Sequence, residues 1–184
     1  YILDASKGNI DQWVRSGEWE NSIHDSTGCY YRLYTCHDMH QLLRAYQTML
    51  HEYGSMKEYI RRNATTGIEA IEALCRFFSQ HGADKIIPKN TTSACKRICM
   101  FLRWMVRSGS PVDLGLWADI IDRRTLIMPL DTHVVQEAQR MNLLQSRTAS
   151  MSTARRLTDT MLKIFPDDPL KGDFALFGLG VDNE

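Results

Sequence analysis

Apolar residues recur at helical spacing along most of the chain. From His37 to Tyr53 they fall at Met39, Leu42, Leu43, Tyr46, Met49, Leu50 and Tyr53, which predicts an amphipathic helix that Gly54 ends. Ser55, three residues before Glu58, has the spacing of a capping box and predicts the start of the next helix. A third stripe, Ile68, Ile71, Leu74, Cys75 and Phe78, predicts a helix over 67–80 that Gly82 stops. The polar connection 82–92, with Pro88, leads to Thr92 or Ser93 as the cap of a helix through Arg107. That helix carries Ile98, Phe101, Leu102, Met105 and Val106 on its core side. After Gly109 and Pro111 come a short helix around 114–120 and the apolar run Leu126–Leu130. Asp131 stands before a helix with Val134, Val135, Ala138 and Met141. Ser150 or Ser152 caps a helix to Phe165, and a last helix begins near Leu170 and ends at Gly178 or Gly180. Alternating strand patterns are scarce, so the prediction is an all-α protein of roughly eight helices.

Composition narrows this further. With 184 residues, 43% hydrophobic and 24% charged, the chain suits one globular domain over 1–184 rather than a disordered segment. No apolar run approaches the ~20 residues that cross a bilayer, so no membrane partner is expected. The opening YILDASKGNI has neither an initiator Met nor a signal pattern, which suggests that an N-terminal segment precedes it in the full-length protein. Five cysteines, an odd number without a C-x-x-C pair, fit a reducing cytoplasm better than a disulfide framework. None lies beyond Cys99, so no C-terminal iron–sulfur loop can form and no cofactor is expected. His37 and His40 share a helical face without a completing ligand, so no metal is expected either.

Lys+Arg and Asp+Glu both number 22, so any polyanion surface has to be local. From Lys85 to Arg107 there are six basic residues, Lys85, Lys89, Lys96, Arg97, Arg103 and Arg107, and no acid. Lys96, Arg103 and Arg107 lie near one side of the predicted helix. Thr91, Thr92 and Ser93 add hydroxyls and free N–H groups at its start. The stretch is either a solvated helix face or a phosphate-binding surface. Lys96, in the first turn among small and apolar residues, is placed where a helix N-terminus and partial burial both favour a neutral, nucleophilic amine. Asp131 reads as an N-cap. A carboxylate fixed in that way also stays ionised and can stabilise a developing cation.

Three strings carry a resemblance. PLDTHVVQEAQRMNLL resembles the P-[VL]-D-[TV]-H-V-x-R-x-x-x-R-x-G-L signature of the helix-hairpin-helix (HhH-GPD) DNA glycosylase superfamily, with Asp131 on its catalytic Asp. SACKRICMFLRWMVR is similar to the helix that carries the catalytic Lys of lyase-type members, which puts Lys96 in that role. KGDFALFGLGV resembles the terminal helix near the base pocket. The resemblance covers 80–184 and is only general before that; the glycosylase-like part is 82–184. Within the superfamily it points to a bacterial subfamily similar to archaeal 8-oxoguanine DNA glycosylases. There are departures. IIPKNTTSACKR, without glycine, stands where the family has L-P-G-V-G-x-K-T-A, so the expected fold is a compact multi-helix domain with a variant hairpin. Gln139 falls near a basic position of the signature, which Arg140 fills instead. Lys96 and Asp131 are 35 residues apart, a separation that suits the long insert of the archaeal enzymes.

The resemblance implies a DNA repair glycosylase with AP lyase activity. The enzyme would extrude a damaged base, an oxidised purine being the candidate, and form a Schiff base through Lys96 with Asp131 assisting. Double-stranded DNA would be the partner of a monomeric, nucleoid-associated protein. Lys89, Thr91, Thr92, Ser93, Arg97, Arg103, Arg107 and His133 would contact DNA, and Trp104, Phe174 and Phe177 are candidates for stacking on the base. The alternatives are an inactive nucleic-acid-binding module of the same fold and a helical interaction protein.

Overall fold

The computed structural model describes residues 1–182, and the side chains of all of these except 177 and 179–182. It is mostly helical. In chain order the elements are α1 (Ile2–Ala5), α2 (Ile10–Ser16), α3 (Trp19–Ser22), β1 (Cys29–Tyr31), β2 (Tyr34–Thr35), α4 (Cys36–Tyr53), α5 (Met56–Asn63), α6 (Gly67–Gln80), α7 (Lys96–Val106), α8 (Thr132–Arg140), α9 (Met151–Ile164) and α10 (Asp173–Asp182). None of the described helices is long and apolar enough to cross a membrane. Contacts divide the chain into two units: Tyr1–Arg62 with Leu74–Lys89, and Asn63–Ala73 with the chain from Asn90 on.

The first unit is built around Trp13, Val14, Trp19, Ile23, Leu43 and Leu50. α2 starts at Asn9, whose side chain accepts from the Gln12 amide, and stops at Gly17 in the left-handed region (φ 79°). Arg15 of α2 donates to the Leu50 carbonyl at 3.1 Å and to that of Gly54, so a cation sits on the C-terminal carbonyls of α4. The predicted helix 37–53 is α4. It starts on a capping box in which the Thr35 hydroxyl accepts from the Asp38 amide and Asp38 accepts from the Thr35 amide at 2.7 Å. β1 and β2 pair antiparallel, Cys29 opposite Thr35, as a short hairpin absent from the all-α expectation. At three and two residues its strands are too short to show an alternating pattern.

Asp38 also accepts from Lys85 at 2.8 Å. The Lys85 ammonium, opposed by burial and aided by the Thr35 amide and hydroxyl, draws the Asp38 carboxyl down to about 2. A carboxyl lowered in the folded state stabilises above its ordinary value, near 4, and that contribution is lost as pH falls through about 2. Melting temperatures between pH 5 and 2 should therefore fall less steeply for Asp38→Asn than for the parent. Parallel acid limbs would refute this.

In the second unit the run Leu126–Leu130 is buried throughout. The Met128 amide donates to the Thr158 hydroxyl of α9 at 3.0 Å, so this chain segment buries no orphan N–H there. α7 buries Ile98, Cys99, Leu102 and Val106, α8 buries Val134, Val135 and Ala138, and α10 packs on α8. Gly67 opens α6 because a Cβ there would run into the Thr125 carbonyl; its amide donates to the Thr125 hydroxyl at 2.9 Å. Residues 114–120 form turns rather than the expected short helix. Leu114 and Trp117 donate their amides to the carbonyls of Trp104 and Met105, which draws the segment onto the end of α7 instead.

Candidate active site

The helix carrying Lys96 begins later than Thr92 or Ser93. Its N-cap is Cys95, held in the left-handed region (φ 48°, ψ 37°), and no side chain caps the helix. A non-glycine residue there costs roughly 1–2 kcal/mol. The Cys95 thiol donates to the carbonyls of Ser93 at 3.4 Å and Asn90 at 3.5 Å, contacts that oppose that strain. Thr92 lies in the loop before the helix, its amide donating to Asn90 Oδ1 at 3.0 Å. Lys96 thus becomes the first residue of α7.

Asp131 is the N-cap of α8, and its two oxygens have separate duties. Oδ1 accepts from the Val134 amide at 2.9 Å, and Oδ2 accepts from Lys96 Nζ at 2.5 Å. Burial works to raise this carboxyl. The Lys96 hydrogen bond, the Val134 amide and the charges of Lys96 and His133 outweigh it and hold the group below its ordinary value. The two residues singled out from sequence as a catalytic pair therefore meet side chain to side chain.

They meet at a cavity of about 130 Å³ lined also by Met100, Pro129, Val134, Asp173 and Phe174. It is smaller than the roughly 300–1,000 Å³ that enclose drug-sized ligands. Its walls are apolar apart from one amine and two carboxyls. Phe174 is 52% exposed and rests on Arg103, whose guanidinium carbon lies 3.9 Å from the ring centroid. Trp104 does not line the cavity and is half-exposed elsewhere on α7. The side chain of Phe177 lies outside the described residues.

Sequence reasoning does not single out Asp173, and it ends a buried chain of charges. Arg107 reaches Asp168 at 2.9 Å and Asp113 at 2.8 Å; Arg103 lies 3.4 Å from Asp113 and bonds Asp173. Burial pushes the Asp173 carboxyl above its ordinary value, with Arg103 and Arg107 opposing and the Asp131 charge adding to the rise. This overturns the reading of Arg103 and Arg107 as phosphate contacts. The Arg103 side chain is 1% exposed and that of Arg107 11%, and their donors are turned inward to carboxylates. One signal in the sequence does point this way. Arg103 falls on the apolar face of α7, with Cys99, Leu102 and Val106 at positions i, i+3 and i+7 around its own i+4.

The other candidates stay near the surface. Lys89, Thr92, Ser93 and Arg97 are exposed, and Thr91 and His133 half-buried. An isolated antiparallel bridge joins Ser93 to Ser150, the cap of α9. Among the described residues no group of three or more His, Cys, Asp or Glu is placed to hold a metal ion.

A family model described as "Protein of unknown function (DUF2400)" matches residues 2–182. No curated protein and no solved structure matches the chain.

Proposed function

The chain belongs to the DUF2400 family, and we propose that it is a DNA glycosylase with AP lyase activity whose nucleophile is Lys96. The observation that carries this reading is the contact of Lys96 Nζ with Asp131 Oδ2, both of which line a small, mostly apolar cavity. An amine attacks only through its lone pair, so its proton has to leave first. Asp131 Oδ2 is the acceptor in place. Its other oxygen is fixed by the Val134 amide, so the acceptor is held in position without reorganisation.

The reaction would run as follows. Nζ bonds to the sugar anomeric carbon while the N-glycosidic bond breaks and the base leaves with that electron pair and takes a proton. The sugar ring opens, its oxygen gaining a proton, to give the protonated Schiff base. Loss of a proton from the neighbouring carbon then expels the 3′-phosphate, and water returns Lys96. A cavity of this size suits the sugar better than a whole nucleoside. Phe174 at its rim, exposed and backed by a guanidinium, offers an aromatic face to an extruded base.

Borohydride trapping tests the reading. The protein is incubated with duplexes holding an abasic site, 8-oxoguanine or an undamaged base, reduced, digested and mapped. An adduct on the peptide bearing Lys96, absent with undamaged duplex, supports it. No adduct on either lesion overturns it.

A further inference from the structure

The two longest stretches of the chain without Asp or Glu are residues 85–112 and 138–158. They are far apart in sequence, and the backbone bridge between Ser93 and Ser150 joins them. From this juxtaposition we infer that the first half of α9, with the loop before it, forms a track for the phosphate backbone of duplex DNA, using Arg147, Arg155 and Arg156. The inference rests on the DNA-repair reading for its choice of polyanion and goes beyond it in assigning a surface that the signature strings do not include.

The state of the arginines distinguishes this surface from an ordinary solvated face. Several arginines elsewhere pair with acids: Arg15 with Asp11, Arg61 and Arg62 with Glu58, Arg124 with Asp122, Arg140 with Glu137; Arg123 donates to the Asp167 carbonyl and Arg32 lies over the Tyr31 ring. Arg147, Arg155 and Arg156 are exposed and have no ion pair among the described residues. On α9 the buried residues are Met151, Thr153, Ala154, Leu157, Thr158 and Met161. Ser152, Arg155 and Arg156, at i, i+3 and i+4, therefore share the outward side. A hydroxyl lies at the approach: exposed Ser152, whose Oγ is 3.0 Å from that of Ser150. Arginine and hydroxyl side chains are what phosphate oxygens are bound by.

The track is also continuous with the site. Antiparallel bridge partners lie about 5 Å apart at Cα. Ser93 is three residues from Lys96, at most about 11 Å of chain. A strand held along α9 and the Ser93–Ser150 seam is thus led toward the amine, past exposed Arg97.

The test uses the whole chain and a duplex bearing a tetrahydrofuran abasic analogue, which cannot form a Schiff base. Affinity is measured across about 50–200 mM salt. Changing Arg147, Arg155 and Arg156 together to Ala should lower the slope of log K against log salt by about 2–3, the release expected for three phosphates. Lys163→Ala, on the same helix beyond Asp159, should leave it within about 0.5. A triple variant that melts like the parent but keeps the parent slope overturns the inference, as does an effect confined to double-stranded RNA. The two readings fail separately. A lowered slope without any trapped adduct retains the track and removes the glycosylase reading, whereas an adduct on Lys96 with an unchanged slope does the reverse.

Discussion

Asp131→Asn should slow formation of the borohydride-trapped adduct by about 10²–10⁴-fold, the range that a positioned proton acceptor contributes, and Lys96→Gln should abolish it. The asparagine variant separates chemistry from folding. Asn and Asp cap helices about equally well, so the side-chain carbonyl of the variant can still accept from the Val134 amide, and α8 should remain intact. What is lost is the charge beside Lys96 Nζ and the oxygen that takes its proton. Asp131→Ala would add the lost cap, about 1 kcal/mol of stability, to the same catalytic defect. Because Asp131 is held below its ordinary value, its contribution to folding is present above the usual carboxylate range and disappears as pH falls through the lowered one. Trapping kinetics under single-turnover conditions check the rate. An Asp131→Asn protein within about threefold of the parent, far short of the range above, would remove Asp131 from the chemistry, and an adduct in Lys96→Gln would remove Lys96.

Arg103→Ala should destabilise the protein by about 3–5 kcal/mol, the cost of leaving a buried charge without its partner, which is about 6–20 °C in melting temperature for a chain of this size. Two carboxylates would lose the same guanidinium, Asp113 and Asp173, and Phe174 would lose the surface on which it rests. Arg103→Lys should not rescue it, because one ammonium cannot span both carboxylates as the planar fork does. Adding Asp173→Asn to Arg103→Ala should recover part of the loss by removing an uncompensated charge, a non-additive cycle that an ordinary cavity would not produce. The pH dependence has its own sign. A carboxyl raised by burial binds its proton more tightly folded than unfolded, so stability falls as pH rises from about 4 through the raised value. Asp173→Asn should remove that fall. Thermal melts with additive losses for the Arg103 and Asp173 changes would refute the coupling.

Periodic stretches are legible where a local signal and the packing agree. The Ser55 hydroxyl accepts from the Glu58 amide at 3.0 Å, as the capping-box spacing requires, α6 spans its predicted 67–80, and α9 starts on Ser150, one of the two caps predicted for it. The start of α7 is not legible, because Thr92 and Ser93 are good caps by residue type, yet the backbone turns left-handed at Cys95 and Ser93 is taken up in a bridge to Ser150. Lys96 and Asp131 each come to notice by their place at a helix start, but only the strings that resemble a known signature join them; nothing in their spacing of 35 residues does so. Asp113, Asp168 and Asp173 escape sequence reasoning because they pair with Arg103 and Arg107 across separations of up to 70 residues, which no periodicity encodes. Counting Arg103 as a basic residue, rather than asking which face of the helix it occupies, is the substantive error in the candidate site.

The amide of Gly67 and the hydroxyl of Thr125 join the segment 63–73 to a body of chain that resumes only at Asn90. The chain enters the second unit at 63–73, returns to the first for 74–89 and leaves it again. Neither unit can therefore be cut out as a continuous piece. A fragment starting at residue 82 would carry Lys96 and Asp131 but lack the strip that Thr125 and Leu126 receive, and an inactive fragment would say nothing about the chemistry. During synthesis the same threading sets an order: the first unit closes only when residue 89 has emerged, while 63–73 must wait for Thr125 before it finds its place.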